Sequence, residues 1–253
     1  MAKKGGSIHK KRLNASTVNV LKEKKKHKWI IGTEAGPHKK EQSVPLASIL
    51  RDLLGIAKTN KDTKKIIRDR KILVDGRKAK SGRMPVGLMD VISLPDQDKY
   101  YRMYFDVYGK LRGKEIDKEE AKTKLGKVIK KSASKGGKIK ITMHDGKTLF
   151  ADNNIRTGDT VVISLPDNKI TKILKLDNGT LCYIMAGKHI GCIGKLKEII
   201  KTEKSKQKIA KLESKEGEII TVATYLFVVD KNFIENMKKS SISAVLVKNN
   251  GGE

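Results

Sequence analysis

Aromatic residues make up only 4% of the chain, and acidic residues are outnumbered two to one, 28 Asp and Glu against 56 Lys and Arg. Cysteine is almost missing: Cys182 and Cys192 are the two in 253 residues. Two thiols cannot build a disulfide framework and their spacing matches no four-ligand zinc pattern, so both read as reduced, buried or half-buried small side chains. No stretch approaches the ~18 consecutive apolar residues of a membrane span. The N-terminus MAKKGGSIHKKRL is basic but is followed by no apolar leader segment. The expectation is a soluble, cytoplasmic chain with no membrane partner.

Catalytic machinery is missing as well. There is no Walker A string and no dinucleotide fingerprint; GKHIGCIGK at 187–195 comes nearest but lacks the spacing of both. The five histidines are scattered, and the adjacent acids Glu119 and Glu120 stand where a helix cap explains them. His144 and Asp145 are neighbours, but Gly146 follows in a turn signal, which favours a structural role. The sequence therefore supplies no acid, base or nucleophile, and the reading is of a non-enzyme with no cofactor, no metal and no small-molecule substrate.

What is present is positive charge. The formal net charge is +28 and the sequence pI about 10.0, a surplus that repels itself in a compact state unless a polyanion neutralises it. The 47 Lys against 9 Arg favour many point-charge contacts to phosphate over bidentate reading of base edges. No part of the chain is acidic: residues 1–42 carry 12 basic against three acidic side chains, 43–98 carry 12 against seven, 99–172 carry 18 against nine, and 173–253 carry 14 against nine.

Patterning divides the chain. Residues 1–42 have too few and too irregular apolar positions for a core and read as an extended basic arm, with Trp29, Ile30 and Ile31 docking at its end. Leu46, Ile49, Leu50, Leu53 and Leu54 form a helical stripe between Ser43 and Gly55. Thr59 and Asp62 read as a capping box for a second, short helix with Ile66 and Ile67 inward and Lys61, Lys64, Lys65 and Arg68 outward. Ile72, Val74, Asp75-Gly76 and Arg77 give a strand and a type I′ hairpin turn, and Val91–Leu94 a further strand.

Beyond Tyr100, Tyr101, Met103, Phe105 and Val107 alternate, His144-Asp145-Gly146 turns, and Val161, Ile163 and Leu165 alternate again. Asp117 with Glu120 predicts a helix whose buried stripe is Ala121, Leu125, Val128 and Ile129, followed by a flexible basic loop at 132–138. The last part is β-rich, with a Lys-rich connection at 201–215 and a strand from Ile219 to Val229. Gly187, Gly191 and Gly194 follow the alternating Leu181, Tyr183 and Met185. Glycine there permits positive φ or close approach of another backbone, and ordinary turns explain each one equally well.

Taken in order, HKKRL (9–13), HKW (27–29), GPHKKE (36–41), VPLASILRDLLGIA (44–57), VDGR (74–77), PVGLMDVISL (85–94), YFDVYGKL (104–111), EEAKTKLGKV (119–128), HDGKT (144–148), GDTVVISLP (158–166) and the glycine string at 187–195 cover the chain nearly end to end. In that order they resemble the archaeal and eukaryotic-type small-subunit ribosomal protein four family, S-four-e. The resemblance implies a multi-domain α+β chain: the basic arm at 1–42, a small S-four-like RNA-binding domain at 43–98, a β-rich central domain at 99–172, and a KOW-type, SH3-like β-barrel with a C-terminal strand at 173–253. It implies RNA contacts from Lys61, Lys64, Lys65, Arg68, Arg70, Arg77, Lys78 and Arg83, and a barrel site at Gly187, Gly191 and Gly194. The family commonly has asparagine and arginine where this chain has His189 and Cys192, and Lys188 and Lys195 stand ready to compensate.

The function expected is structural: a small-ribosomal-subunit component binding rRNA by backbone and shape, among neighbouring small-subunit proteins. In the arm, Lys10, Lys11, Arg12, His38 and Lys39 join the expected RNA contacts, His38 by stacking or hydrogen bonding to unpaired bases. The alternative is a KOW-containing transcription or ribosome-assembly factor that visits RNA transiently. An RNA-modifying enzyme would need clustered catalytic residues within 99–253, and the sequence lacks them.

Overall fold

The computed structural model describes residues 9–19, 25, 27–69, 71–134, 137–201, 207–214, 217–230 and 233. They fall into two compact units, 1–122 and 123–253. In the first, β1 (His9–Lys11) pairs antiparallel with β2 (Trp29–Ile31). The arm thus folds back on itself where an extended path was expected. Its return is held by backbone bonds, from the Leu111 N–H to the Val18 carbonyl (2.9 Å) and from the Glu34 N–H to the Arg83 carbonyl (3.0 Å). Ala15, Val18 and Asn19 are buried, so this stretch holds more apolar anchoring than its composition suggests.

β3 (Val44–Pro45) leads into α1 (Leu46–Ser48), which continues as a π-helical turn, Ile49–Leu53. The predicted stripe is buried at Leu46, Ile49 and Leu50, and Gly55 ends the segment at φ +65. Ser43 does not cap it: Pro45 holds the N-cap position without a side-chain bond. α2 (Asn60–Arg68) opens with the predicted capping box, Thr59 Oγ1 accepting from the Asp62 N–H (3.2 Å) and Asp62 Oδ2 from the Thr59 N–H (3.0 Å).

β4 (Leu73–Val74) and β5 (Arg77–Lys78) form the predicted hairpin, with Asp75 (φ 51) and Gly76 (φ 73) both left-handed as a type I′ turn requires. β6 (Pro85–Val86) pairs with β3, and β7 (Val91–Leu94), β8 (Lys99–Phe105) and β9 (Leu111–Ile116) complete an antiparallel sheet of order β5-β4-β7-β8-β9. A Cβ on Gly113 of β9 would stand 3.3 Å from Leu54 Cδ2, so glycine lets the leucine stripe lie close on the sheet. Two expectations change here. The β7–β8 ladder crosses residue 98, so β8 and β9 share the hairpin's sheet and the compact unit runs to Lys122; fully buried Val91–Leu94 needs a partner on each edge, and the chain turns straight back to provide one. Val107 leaves the alternation, 60% exposed in a turn where Asp106 Oδ1 accepts from the Tyr108 and Lys110 N–H groups.

The second unit is built of β10 (Thr123–Ala133), β11 (Ile139–Met143), β12 (Thr148–Ala151), β13 (Thr160–Ser164), β14 (Ile170–Leu174), β15 (Leu181–Ile184), β16 (Ile193–Lys201), β17 (Lys208–Ser214), β18 (Gly217–Val222) and β19 (Leu226–Val228). They make two five-stranded antiparallel sheets, β12-β11-β10-β13-β14 and β18-β17-β16-β15-β19. In the first, Leu149 of β12 and Ile170 of β14 pack on one core with Val128, Ile141, Met143, Val161 and Ile163. In the second, Ile219 of β18 shares a core with Leu226 and Val228 of β19. Edge strands that share a core mean that each sheet curls round its own apolar filling.

Three predicted elements are corrected. The helix expected after Asp117 is a single 3-10 turn, Glu120–Lys122, followed by β10. Leu125 and Val128 suit either period, but Ile129 is 57% exposed, and a Cβ at Gly126 would stand 2.5 Å from Met143 Sδ. Pairing on both edges with β11 and β13 decides for the strand. The Lys-rich connection at 201–215 contains β17, whose Ala210 and Leu212 point inward between lysines. The strand expected over 219–229 is two strands, β18 and β19, broken by the 3-10 turn Ala223–Tyr225. Among the described residues no helix is long and apolar enough to cross a membrane.

Candidate nucleic-acid interface

Lys61, Lys64, Lys65 and Arg68 occupy one face of α2 at helical spacing and are exposed, while Thr63 and Ile67 on the other face are buried. The capping box fixes where that face begins; the hydrogen bonds with Thr59 hold the Asp62 carboxyl below its usual range. Arg77 and Lys78 are exposed on β5. Arg70 lies outside the described residues.

Beside α2 runs a groove of about 660 Å³. Its floor is Ala47, Ile67 and Gly82, its walls are α2, the 80–83 loop and Ile31-Gly32 of the arm, and Lys64, Arg68, Lys80 and Arg83 lie along it. Arg83 ties two walls together: its Nε donates to the Gly32 carbonyl at 3.2 Å and its backbone N–H to Ser81 Oγ at 3.1 Å. The Ala47 N–H donates to the Gly82 carbonyl at 2.8 Å and joins the floor to the same loop. No acidic side chain lines this groove. Sequence reasoning selected Lys64, Arg68 and Arg83 but missed Lys80; its signal was the turn string Lys80-Ser81-Gly82-Arg83 beside a basic helix.

In the arm, Lys11 and Lys39 are exposed and Lys10 and Arg12 half-buried. Burial, and then the nearby charge of Lys40, lowers the Lys10 ammonium below its ordinary value, marking a like-charge pair that an anion would relieve. Trp29 is half-exposed with the Lys28 ammonium 5.3 Å from its ring centre. His38 is corrected. Its side chain is 4% exposed and its Nε2 lies 2.9 Å from Asp90, whose side chain is 1% exposed, so the ring faces the interior rather than a base.

In the second unit Gly187 (φ 90) and Gly191 (φ 84) occupy the turn between β15 and β16, where Lys188 is exposed. Gly194 is buried in β16, and a Cβ there would meet the Glu213 carbonyl oxygen at 3.0 Å, so its small size serves strand packing. Lys195 follows, exposed. Other charges are structural. Lys124 and Asp145 form an ion pair at 3.0 Å with side chains 1% and 0% exposed. Lys127 Nζ donates to the Thr224 carbonyl, and burial pushes its ammonium down to about 8. Burial likewise pushes the Cys182 thiol up to about 11, against activation as a nucleophile. Among the described residues no cluster of His, Cys, Asp or Glu is placed to hold a metal ion.

Comparison with known proteins shows which family the chain resembles. The model of the ribosomal family S4e matches residues 97–170. The small ribosomal subunit protein eS4 of Methanosphaera stadtmanae is 39% identical over 232 residues, 92% of this chain and 96% of the relative. That of Nanoarchaeum equitans is 44% identical over 185 residues, 73% of this chain and 79% of the relative. The crystal structure of the 30S ribosomal protein S4e from Thermoplasma acidophilum superimposes with a TM-score of 0.64 at 33% identity, covering 74% of this chain and 95% of that one. With relatives this similar along most of both chains, the protein belongs to the S4e family of ribosomal proteins.

Proposed function

We propose that this chain is a non-enzymatic structural component of the small ribosomal subunit, acting in the cytoplasm and gripping folded rRNA through backbone and shape. The observation that carries the reading is the exposed row Lys61, Lys64, Lys65 and Arg68 on a helix fixed at its start by a capping box, within a chain of net charge +28. A-form RNA hides its deep groove from side chains, so lysine-rich surfaces address phosphates. The relatives' description as small ribosomal subunit proteins supports the same assignment.

Within this reading the basic arm and the S-four-like module that begins at residue 43 meet rRNA together, with Arg77 and Lys78 of the hairpin extending the α2 face. The chain continues through the central strands to a KOW-type, SH3-like barrel at 173–253, a layout supported by the curled five-stranded sheet β18-β17-β16-β15-β19. In that barrel Lys188 and Lys195 supply the phosphate contacts. Neighbouring small-subunit proteins cover part of the remaining surface.

The test is sedimentation of cell lysate through a gradient after a high-salt wash, with the protein quantified against small-subunit rRNA. One retained copy per subunit is expected. Release by salt, or far less than one copy, overturns the structural assignment.

A further inference from the structure

The groove beside α2 differs from a surface that only meets duplex phosphates. It is concave, its volume of about 660 Å³ falls within the range of sites that enclose small ligands, and its floor of Ala47, Ile67 and Gly82 is apolar. A row of phosphates on a helical backbone fits a convex or flat basic face and would leave such a floor in contact with water. An unpaired nucleotide has the matching chemistry, a flat apolar-faced base carried on a phosphodiester.

We propose that this groove is a binding site for a single unpaired nucleotide of RNA, the base entering over Ala47, Ile67 and Gly82 and its flanking phosphates held by Lys64, Arg68, Lys80 and Arg83. This deepens the rRNA-binding reading above and rests on it. Charge complementarity selects the occupant: four basic and no acidic side chains line the groove. Donors for a base edge are also in place. Asn60 Oδ1 accepts from Arg51 Nη1 at 2.8 Å, which fixes its amide with the NH2 group left to donate. Ser81 Oγ accepts from the Arg83 N–H and keeps its own hydrogen to give.

The walls give the site its rigidity. α1 meets the 80–83 loop through the Ala47 N–H bond to Gly82, and the loop meets the arm through the Arg83 bonds with Gly32 and Glu34. Four segments distant in sequence, 31–32, 47, 60–68 and 80–83, enclose one slot, and the arm is one of its walls. A Cβ on Gly82 would lie 3.1 Å from Ala47 Cβ and 3.4 Å from Ile67 Cδ1, so a side chain at 82 crowds the floor.

The experiment uses the full chain and two RNAs, a 20-base-pair duplex and the same duplex with one bulged 4-thiouridine. Titrated at one fixed salt concentration, the bulged RNA is expected to bind about tenfold more tightly, the effect of burying one base face of roughly 60 Å² on the apolar floor. Gly82→Leu is expected to abolish that preference, with affinity for the bulged RNA falling about tenfold further than affinity for the duplex. Photocrosslinking of the bulge to unmodified protein, mapped by mass spectrometry, is expected within residues 60–68 or 80–83 and does not depend on any variant folding. Equal affinity for the two RNAs, or crosslinks confined to other segments, overturns the nucleotide site while the rRNA-binding reading stands. Binding of neither RNA overturns both. Uridine monophosphate at millimolar concentration is expected not to displace the bulged RNA; displacement would show a site for free nucleotides and overturn the assignment to RNA.

Discussion

Nε2 of His38 lies 2.9 Å from both carboxylate oxygens of Asp90, and the two side chains are 4% and 1% exposed. A carboxylate only accepts, so Nε2 carries the proton and the arm is pinned to the sheet by a buried, charge-assisted bond. His38 itself sits at φ 66, a conformation L-residues adopt only when the surroundings hold them there. A residue expected to meet RNA thus holds the arm in place.

Gly87 makes this geometry possible. A Cβ there would stand 2.5 Å from His38 Cγ, and the Gly87 N–H donates to Asp90 Oδ2 at 2.9 Å. Gly87→Ala should cost about 1–3 kcal/mol by overpacking, and His38→Ala about 3 kcal/mol by leaving a buried carboxylate short of its partner. In the double variant the alanine has no ring to strike, so the losses should fall short of additivity by about 1 kcal/mol or more. Urea unfolding of the four proteins measures this, and strictly additive losses would dismiss the steric coupling.

The Lys124–Asp145 pair predicts acid sensitivity of the second unit. Burial alone would raise the Asp145 carboxyl, but Lys124, with His144 and the Lys147 N–H, holds it below its usual value. A carboxyl depressed in the folded state contributes stability that is complete above the ordinary carboxylate range and lost as pH falls through its own lower value. Lys124→Met should destabilise by about 3–5 kcal/mol near neutrality because it strands a buried charge. Replacing both residues, Lys124→Met with Asp145→Leu, should recover much of that loss. Urea unfolding between neutral pH and pH 3 separates these outcomes; a single variant as stable as the parent would remove the pair from the account.

Lys127 predicts a slope of the same sign in alkali. Its ammonium titrates near 8 when folded, against an ordinary value of 10.5. Between those values the unfolded chain holds more protons, so this residue's contribution to stability rises with pH and is constant below the folded value. Relative to Lys127→Met, the parent should gain about 2–3 kcal/mol between pH 7 and pH 10. Taking the difference cancels the many exposed lysines, and a difference that does not change with pH would mean that the ammonium is solvated.

Much of the first unit could be read from the sequence because its signals are local. The leucine stripe, the Thr59–Asp62 box and the Asp75-Gly76 turn each lie within a few residues of what they specify. β10 could not be read that way. Leu125 and Val128 fit two periods, and the decision lies in pairing with β11 and β13, some 15 to 40 residues distant. β17 was hidden because Ala210 and Leu212 sit among Lys208, Lys211 and Glu213, so its average composition looks like a linker. The α2 face was visible as a charge row at helical spacing. The groove was not, because its lining comes from 31–32, 47, 60–68 and 80–83, which meet only in the tertiary fold.

The exposed row on α2 makes a prediction about salt. Changing Lys61, Lys64, Lys65 and Arg68 together to alanine removes four solvated charges, none of which supports the core. Alanine is the best helix former and the capping box remains, so α2 should persist. RNA affinity should fall, and the slope of log affinity against log salt should flatten by about 0.7–0.9 for each phosphate no longer neutralised. Binding measured at several salt concentrations, with circular dichroism to verify the fold, reads both quantities. Weaker binding with an unchanged slope would mean that the substitutions altered the shape of the surface and left its phosphate pairing intact. An unchanged slope and affinity in a folded variant would remove this face from the interface and leave the RNA to the hairpin, the arm and the glycine turn between β15 and β16.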